Sequence, residues 1–231
     1  MISLIESYEG IELALVLVAY LVAILFALTI HEYAHARVAY NKGDETPKAQ
    51  GRLTLNPFAH IDTMGFLCLI LVGFGWAKPV QVNPIKFKEY RKDYFKVSVA
   101  GILTNLITAF FTCGLYCLLY FIMTNNLQAF STNTFLKYFY FFTSNLLSFF
   151  TIINLCLFLF NLIPVYPLDG FNILQTFTKS GNKVENFLRR YGSLILFAYI
   201  IIDAVLQINL FTTCIEFILR PLESFWFNLI F

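Results

Sequence analysis

The chain has 231 residues, of which 58% are hydrophobic, 18% aromatic and only 13% charged, with a formal net charge of +2. Soluble domains run near 45–50% apolar and ~25% charged, so this composition excludes a soluble globular enzyme, and so small a net charge offers no basic field for nucleic acid. The apolar excess falls in long blocks, and no polar segment exceeds about 25 residues, too few for an appended domain with its own core. The expectation is an all-α polytopic membrane protein whose residues 1–231 form one membrane-embedded domain.

Taken in order, residues 11–40 are apolar up to Ile30 and keep a helical pattern to a stop at Asn41-Lys42-Gly43. Thirty residues of helix measure about 45 Å, more than the ~30 Å of bilayer hydrocarbon, so this helix tilts or projects into the interface. The start of the chain lacks a basic n-region, and the first apolar run reads as an uncleaved anchor. Residues 41–60 are polar and turn-rich. Residues 61–77 are apolar but short, carry Asp62, and are interrupted by Gly65, Gly73 and Gly75. Residues 97–123 and 135–162 are two further spans. The latter ends in a segment with Pro164 and Pro167, which break regular helix. Residues 191–210 read as a fourth span, and residues 211–231, with Glu223 and Arg220-Pro221, as an amphipathic tail at the interface or dipping into it. Five cysteines (Cys68, Cys113, Cys117, Cys156, Cys214) lie in or beside apolar runs without a CxxC pair and read as packing.

Of the 16 Lys and Arg, nine lie between Lys42 and Lys96 and four between Lys179 and Arg190. Basic loops stay cytoplasmic. A full crossing by residues 61–77 would put its two basic flanks on opposite sides, so that segment is expected to be re-entrant. The result is about four firm transmembrane helices with the N-terminus outside. The Lys42 end of the first helix and the proline-broken end of the third are then both cytoplasmic.

The chemistry sits at that depth. His31-Glu32-Tyr33-Ala34-His35 is an HExxH pattern at the end of the first apolar run. A spacing of four puts both imidazoles on one helix face, one turn apart, as two ligands of one metal require. In zinc hydrolases the neighbouring carboxylate takes a proton from the attacking water. Ionisable groups in a lipid-buried helix each cost on the order of 2.5–3.5 kcal/mol, which makes a chance pattern a poor explanation. His35 lies roughly 10 Å and His31 roughly 16 Å along the helix from Lys42. A third ligand must come from the same depth, and Asp169 after the broken third span meets that condition. Asp203 lies too far toward the outer side, while His60 and Asp62 read as structural.

The HExxH pattern together with Asn161-Leu162-Ile163-Pro164-Val165-Tyr166-Pro167-Leu168-Asp169-Gly170 resembles the site-2 protease family of intramembrane zinc metalloproteases. Gly43-Asp44, the segments 51–57 and 76–80, and Ala100-Gly101 with Asn105 extend the resemblance over about residues 13–175. It looks closest to the compact bacterial branch without PDZ or CBS domains. Ile102 and Thr63 stand where the family often has proline, a difference of local backbone shape.

The resemblance implies one Zn2+ held by His31, His35 and Asp169, with Glu32 as the general base. It implies a core over about residues 11–178, and Asn161 and Asn105 at the substrate backbone or developing oxyanion. From the residues alone, a buried Asn in a span is also read as interhelical glue, and that reading is kept for Asn154. The expected activity is hydrolysis of peptide bonds in membrane-spanning or membrane-associated proteins near the cytoplasmic face of the cell membrane. Residues 73–79 would offer an edge to an extended substrate strand. Within enzymes, the rival is a membrane metalloprotease with a later glutamate as third ligand, disfavoured because only Asp169 has the right depth. Outside enzymes, it is a metal-binding transporter or inactive scaffold. The presence of Glu32 argues against the scaffold, and the absence of repeat symmetry argues against the transporter.

Overall fold

A computed structural model describes residues 7–72, 75–178 and 181–231. Gly73 and Lys179, both used in the sequence reading, lie outside these. Among the described residues three helices are long and apolar enough to cross a membrane. They are α1 (Gly10–Asn41), α3 (Tyr90–Asn125) and α4 (Thr134–Leu162). A ten-residue helix α2 (Thr63–Val72) precedes α3, and α5 (Asp169–Phe177), α6 (Lys183–Leu206) and α7 (Leu210–Ile230) follow α4.

The three long helices pack on one another, α1 and α3 through stripes of mostly small or polar residues spaced by four. On α1, Ala19, Ala23, Ala27, His31, His35 and Ala39 are all buried. On α3 the stripe is Asp93, Val97, Gly101, Asn105, Ala109, Cys113 and Cys117. Small side chains let backbones approach closely where lipid supplies no hydrophobic drive between helices. The opposite face of α3 exposes Leu103, Ile107, Phe111, Leu115, Leu118 and Ile122, an apolar row suited to acyl chains. The sites of chemistry on α1 and α3 are thus continuations of the packing stripes, held at the depth the stripes dictate. Lys42 closes the stripes at one end through an ion pair with buried Asp93 (3.4 Å).

The segment between α1 and α3 doubles back. Ile61 and Ala77 form an antiparallel bridge, and the Lys78 N–H donates to the His60 carbonyl at 2.8 Å. Asp62 caps α2 through the Gly65 N–H (2.8 Å). The Arg52 guanidinium donates to the carbonyls of Ala59 and Lys78, tying both ends of the hairpin together. The two ends of residues 61–77 thus lie side by side, a geometry compatible with the re-entrant form expected for this segment. Asp62 and His60, whose Nε2 bonds the Thr54 carbonyl at 2.9 Å, serve structure, as does Asp203, which accepts the Leu210 N–H at the α6–α7 turn.

The C-terminal region differs from expectation in two ways. The fourth expected span ends at Leu206, because Gln207 and Asn209 take left-handed backbone and reverse the chain. Arg189, Arg190 and Asp203 also leave α6 outside the set of crossing-competent helices. The tail expected to lie at the interface is the helix α7, packed lengthwise on α3 and α4. Phe211 meets Phe160, Ile215 joins Ala109 and Leu155 in a core, the Trp226 indole N–H donates to the Phe110 carbonyl, and Phe231 meets Phe121. Gly114 makes room for the Trp226 ring, since a Cβ there would come within 2.6 Å of it.

Candidate metal centre

α1 delivers both histidines without a break in its hydrogen bonding, and both are buried. α4 stops at Leu162, where Ile163 turns extended ahead of Pro164. The chain then loops over six residues, and α5 opens with Asp169 in its first turn. α5 packs on α3, which brings the carboxylate back over the α1 imidazoles. Gly170 permits the tight return, because a Cβ there would lie 2.4 Å from the Ile163 carbonyl oxygen.

His31 Nε2, His35 Nε2 and Asp169 Oδ2 form a triangle with sides of 3.1, 3.2 and 3.0 Å. Donors around a tetrahedral zinc at about 2.0–2.2 Å stand roughly 3.3–3.5 Å apart, so the triangle needs to open by only a few tenths of an ångström. Proton positions argue the same way. His35 Nδ1–H donates to the Val97 carbonyl at 2.7 Å, which leaves the Nε2 lone pair facing the other two atoms. Asp169 Oδ2 is buried and accepts no hydrogen bond among the described residues. Atoms this close are held together by a shared proton or a shared metal ion, and two imidazoles with one carboxylate are a donor set that suits zinc. These residues therefore fit a divalent ion, and they are the one group of three such ligands found among the described residues.

α3 forms the back wall. A Cβ on Gly101 would come within 2.4 Å of His35 Nε2 and 2.6 Å of His31 Cε1, so only glycine lets the helix pass this close. One turn on, Asn105 is 0% exposed and its side-chain amide lies 3.1 Å from His31 Nδ1. The sequence expectation placed Asn105 at the substrate. The structure puts it behind the histidine and outside the lining of the cavity, because it belongs to the buried stripe of α3.

That cavity, of about 660 Å³, opens on the other side of the triangle. Glu32, Asn161, Asn172, Trp76 and Phe197 are among its walls. The Glu32 carboxylate accepts the Val80 N–H at 2.8 Å, so the returning arm of the re-entrant hairpin is pinned beside it. Asn161 is half-buried and bonds its own helix through the Leu157 carbonyl (3.0 Å), leaving the side-chain oxygen free of a recorded donor. Asn154, on the same helix and fully buried, donates to the Phe150 carbonyl of α4 itself, a bond within one helix. Sequence reasoning missed Val80 and Val97, whose contributions are backbone groups with no signature in residue type. It registered Gly101 only as part of a motif; its place one turn before Asn105 was the available signal.

The family model described as Peptidase family M50 matches residues 19–202. A Bacillus subtilis (strain 168) protein named "Putative zinc metalloprotease YwhC" is 43% identical over 173 residues, covering 73% of this chain and 74% of its own. No solved structure matches the chain. The matched region contains both halves of the ligand triangle and the carboxylate beside it, and the chain belongs to peptidase family M50, the site-2 protease family of membrane metalloproteases.

Proposed function

We propose that the chain is an intramembrane zinc protease that cleaves membrane-spanning or membrane-associated proteins near the cytoplasmic face of the cell membrane. One Zn2+ is held by His31, His35 and Asp169. The observation that carries this reading is the triangle of His31 Nε2, His35 Nε2 and Asp169 Oδ2, 3.0–3.2 Å apart, at the edge of a cavity that also holds Glu32. Residues 1–231 act as one domain, with the catalytic core at about residues 11–178.

Zinc, when bound, lowers the pKa of a water toward ~7 and polarises the scissile carbonyl. Glu32 takes the proton of the attacking water and returns it to the leaving amine. The Val80 N–H fixes one carboxylate oxygen of Glu32 and leaves the other for the proton. The Asn161 side chain lines the cavity and donates to the substrate carbonyl as charge develops there. A transmembrane substrate has its peptide groups bonded within its own helix and must unwind first. The arm at residues 75–80 borders the cavity beside Glu32 and would meet an extended substrate through those backbone groups that the Lys78 and Val80 bonds leave unused.

The test compares bound zinc and cleavage of a single-span protein for wild type, Glu32→Gln and Asp169→Ala. Glu32→Gln keeps zinc and loses cleavage; Asp169→Ala weakens zinc. Cleavage surviving in Glu32→Gln would remove the mechanism, and unchanged zinc affinity in Asp169→Ala would remove the ligand assignment.

A further inference from the structure

Asn105 is the most deeply placed polar residue around the centre, and the proposed mechanism gives it no part. Its side chain is 0% exposed. Its amide nitrogen lies 3.1 Å from His31 Nδ1, and its amide oxygen is buried without a hydrogen-bond partner among the described residues. A buried carbonyl left unpaired is costly, so its presence asks for a reason.

The two histidines are held differently. His35 has a backbone carbonyl behind Nδ1, which can only accept. Its proton therefore stays on Nδ1, and Nε2 is always ready for a metal. Behind His31 stands a side-chain amide, which can donate or accept. With the NH2 group facing Nδ1, the His31 proton sits on Nε2, the atom that faces His35 and Asp169. That state closes the triangle without a cation. With the carbonyl facing Nδ1, the proton moves behind the ring and the Nε2 lone pair turns to the ion. The two ends of an amide have nearly the same shape, so a half-turn about its last torsion exchanges them in place. Between the two states the proton changes its place on the ring.

We propose that Asn105 is the positioning residue of the metal centre: in the loaded enzyme its side-chain carbonyl accepts the Nδ1–H of His31 and keeps the Nε2 lone pair on the metal. The inference rests on the zinc site proposed above. It explains why the orphaned oxygen and the nearby nitrogen belong to one side chain. It also explains why Asn105 follows Gly101 by one turn: the glycine admits the imidazoles and the asparagine then holds one of them. Partners behind a metal-bound histidine commonly contribute 10–100-fold in metal affinity.

The experiment measures zinc affinity, by competition with a chromophoric chelator, for the purified full chain and for Asn105→Leu and Asn105→Asp. Asp can accept the Nδ1–H and, as a carboxylate, cannot donate; Leu can do neither. The expected result is a 10–100-fold loss for Asn105→Leu and affinity within about 3-fold of wild type for Asn105→Asp, with cleavage following zinc occupancy. Equal losses in both variants, or no loss in Asn105→Leu, overturns the inference. Zinc-loaded wild-type protein labelled with ¹⁵N-histidine gives a readout that needs no variant: protonated Nδ1 on both His31 and His35 supports it, and a protonated Nε2 on His31 overturns it. Wild type that binds no zinc refutes the zinc site itself and this inference with it. Wild type that binds one zinc with indifferent Asn105 variants refutes this inference alone.

Discussion

Gly101 shows how little room the centre has. Adding one methyl group there would put carbon within 2.4 Å of His35 Nε2, and the helix backbone behind it belongs to the α1–α3 packing stripe. Gly101→Ala is expected to lose at least 10-fold in zinc affinity and about 1–3 kcal/mol in stability, since overpacking a tight contact forces backbone to move. Isothermal titration with zinc and thermal unfolding of the apo-protein check both; wild-type affinity would mean that α3 has slack at this level. At this scale the sequence was most legible where residue type carries chemistry. His31, Glu32, His35 and Asp169 were readable because ionisable groups are expensive in lipid and their depths agree. Asn105 was the least determined, because its type fits a substrate contact, interhelical glue and a ligand's partner equally well. Only its direction across the helix separates these, and that depends on which face α3 turns to α1.

Among the elements, the loop after α1 acts as a clamp for the arm that carries Val80. Asp44 is fully buried and accepts hydrogen bonds from the Thr46 N–H (3.0 Å), the Thr46 hydroxyl and the Asn83 N–H (2.6 Å), with Lys86 at 3.9 Å. Burial pushes its carboxyl pKa up, but these bonds and the Lys86 charge outweigh it and hold the group below the ordinary carboxylate range. The folded pKa is thus lower than the unfolded value of ~3.9. The stabilisation is complete above that unfolded value and is lost as pH falls through the folded one. Hydrogen exchange at the Asn83 amide, corrected for the intrinsic rate, is expected to stay protected from neutral pH down to ~4 and to lose protection below it. In Asp44→Asn this acid step disappears and protection is lower throughout. An unchanged acid step in that variant would assign it to another group.

The re-entrant hairpin itself was legible from two basic flanks that could not lie on opposite sides. Its bridge, and the bond from Val80 to Glu32, were not, since both are backbone contacts between residues distant in sequence. The C-terminal helix was the least legible element. Arg220-Pro221 and Glu223 made residues 211–231 look interfacial or membrane-dipping, whereas the inner side of α7, with Ile215 and Trp226, packs along two long helices. Trp226→Ala is expected to lower the unfolding temperature while leaving zinc affinity at its wild-type value, because α7 touches neither ligand helix at the centre. A parallel loss of zinc would show that α7 supports the site.

For the whole molecule, three long helices set the bilayer frame and the centre lies toward the end where Lys42, Asp93 and Lys96 meet. α7 runs from Phe160, beside Asn161 of the cavity, to Phe121 near the far end of α3. If that cavity end is cytoplasmic, as proposed, and α7 crosses beside α3 and α4 in spite of Glu216, Arg220 and Glu223, Phe231 is expected outside. An epitope fused after Phe231 should be reached by antibody on intact spheroplasts, and one inserted at exposed Glu45 only after lysis. The same accessibility for both would overturn the topology.

The central claim is that a zinc held by His31, His35 and Asp169 and a base at Glu32 cut peptide bonds inside the membrane. The most direct measurement reconstitutes the zinc-loaded full chain in proteoliposomes with a single-span substrate and locates the cut by mass spectrometry. A cut within the cytoplasmic half of the substrate's span, abolished in a Glu32→Gln protein that still holds one zinc, is the predicted result. Undiminished cleavage by zinc-loaded Glu32→Gln, or cuts only in the substrate's soluble segments, would contradict it.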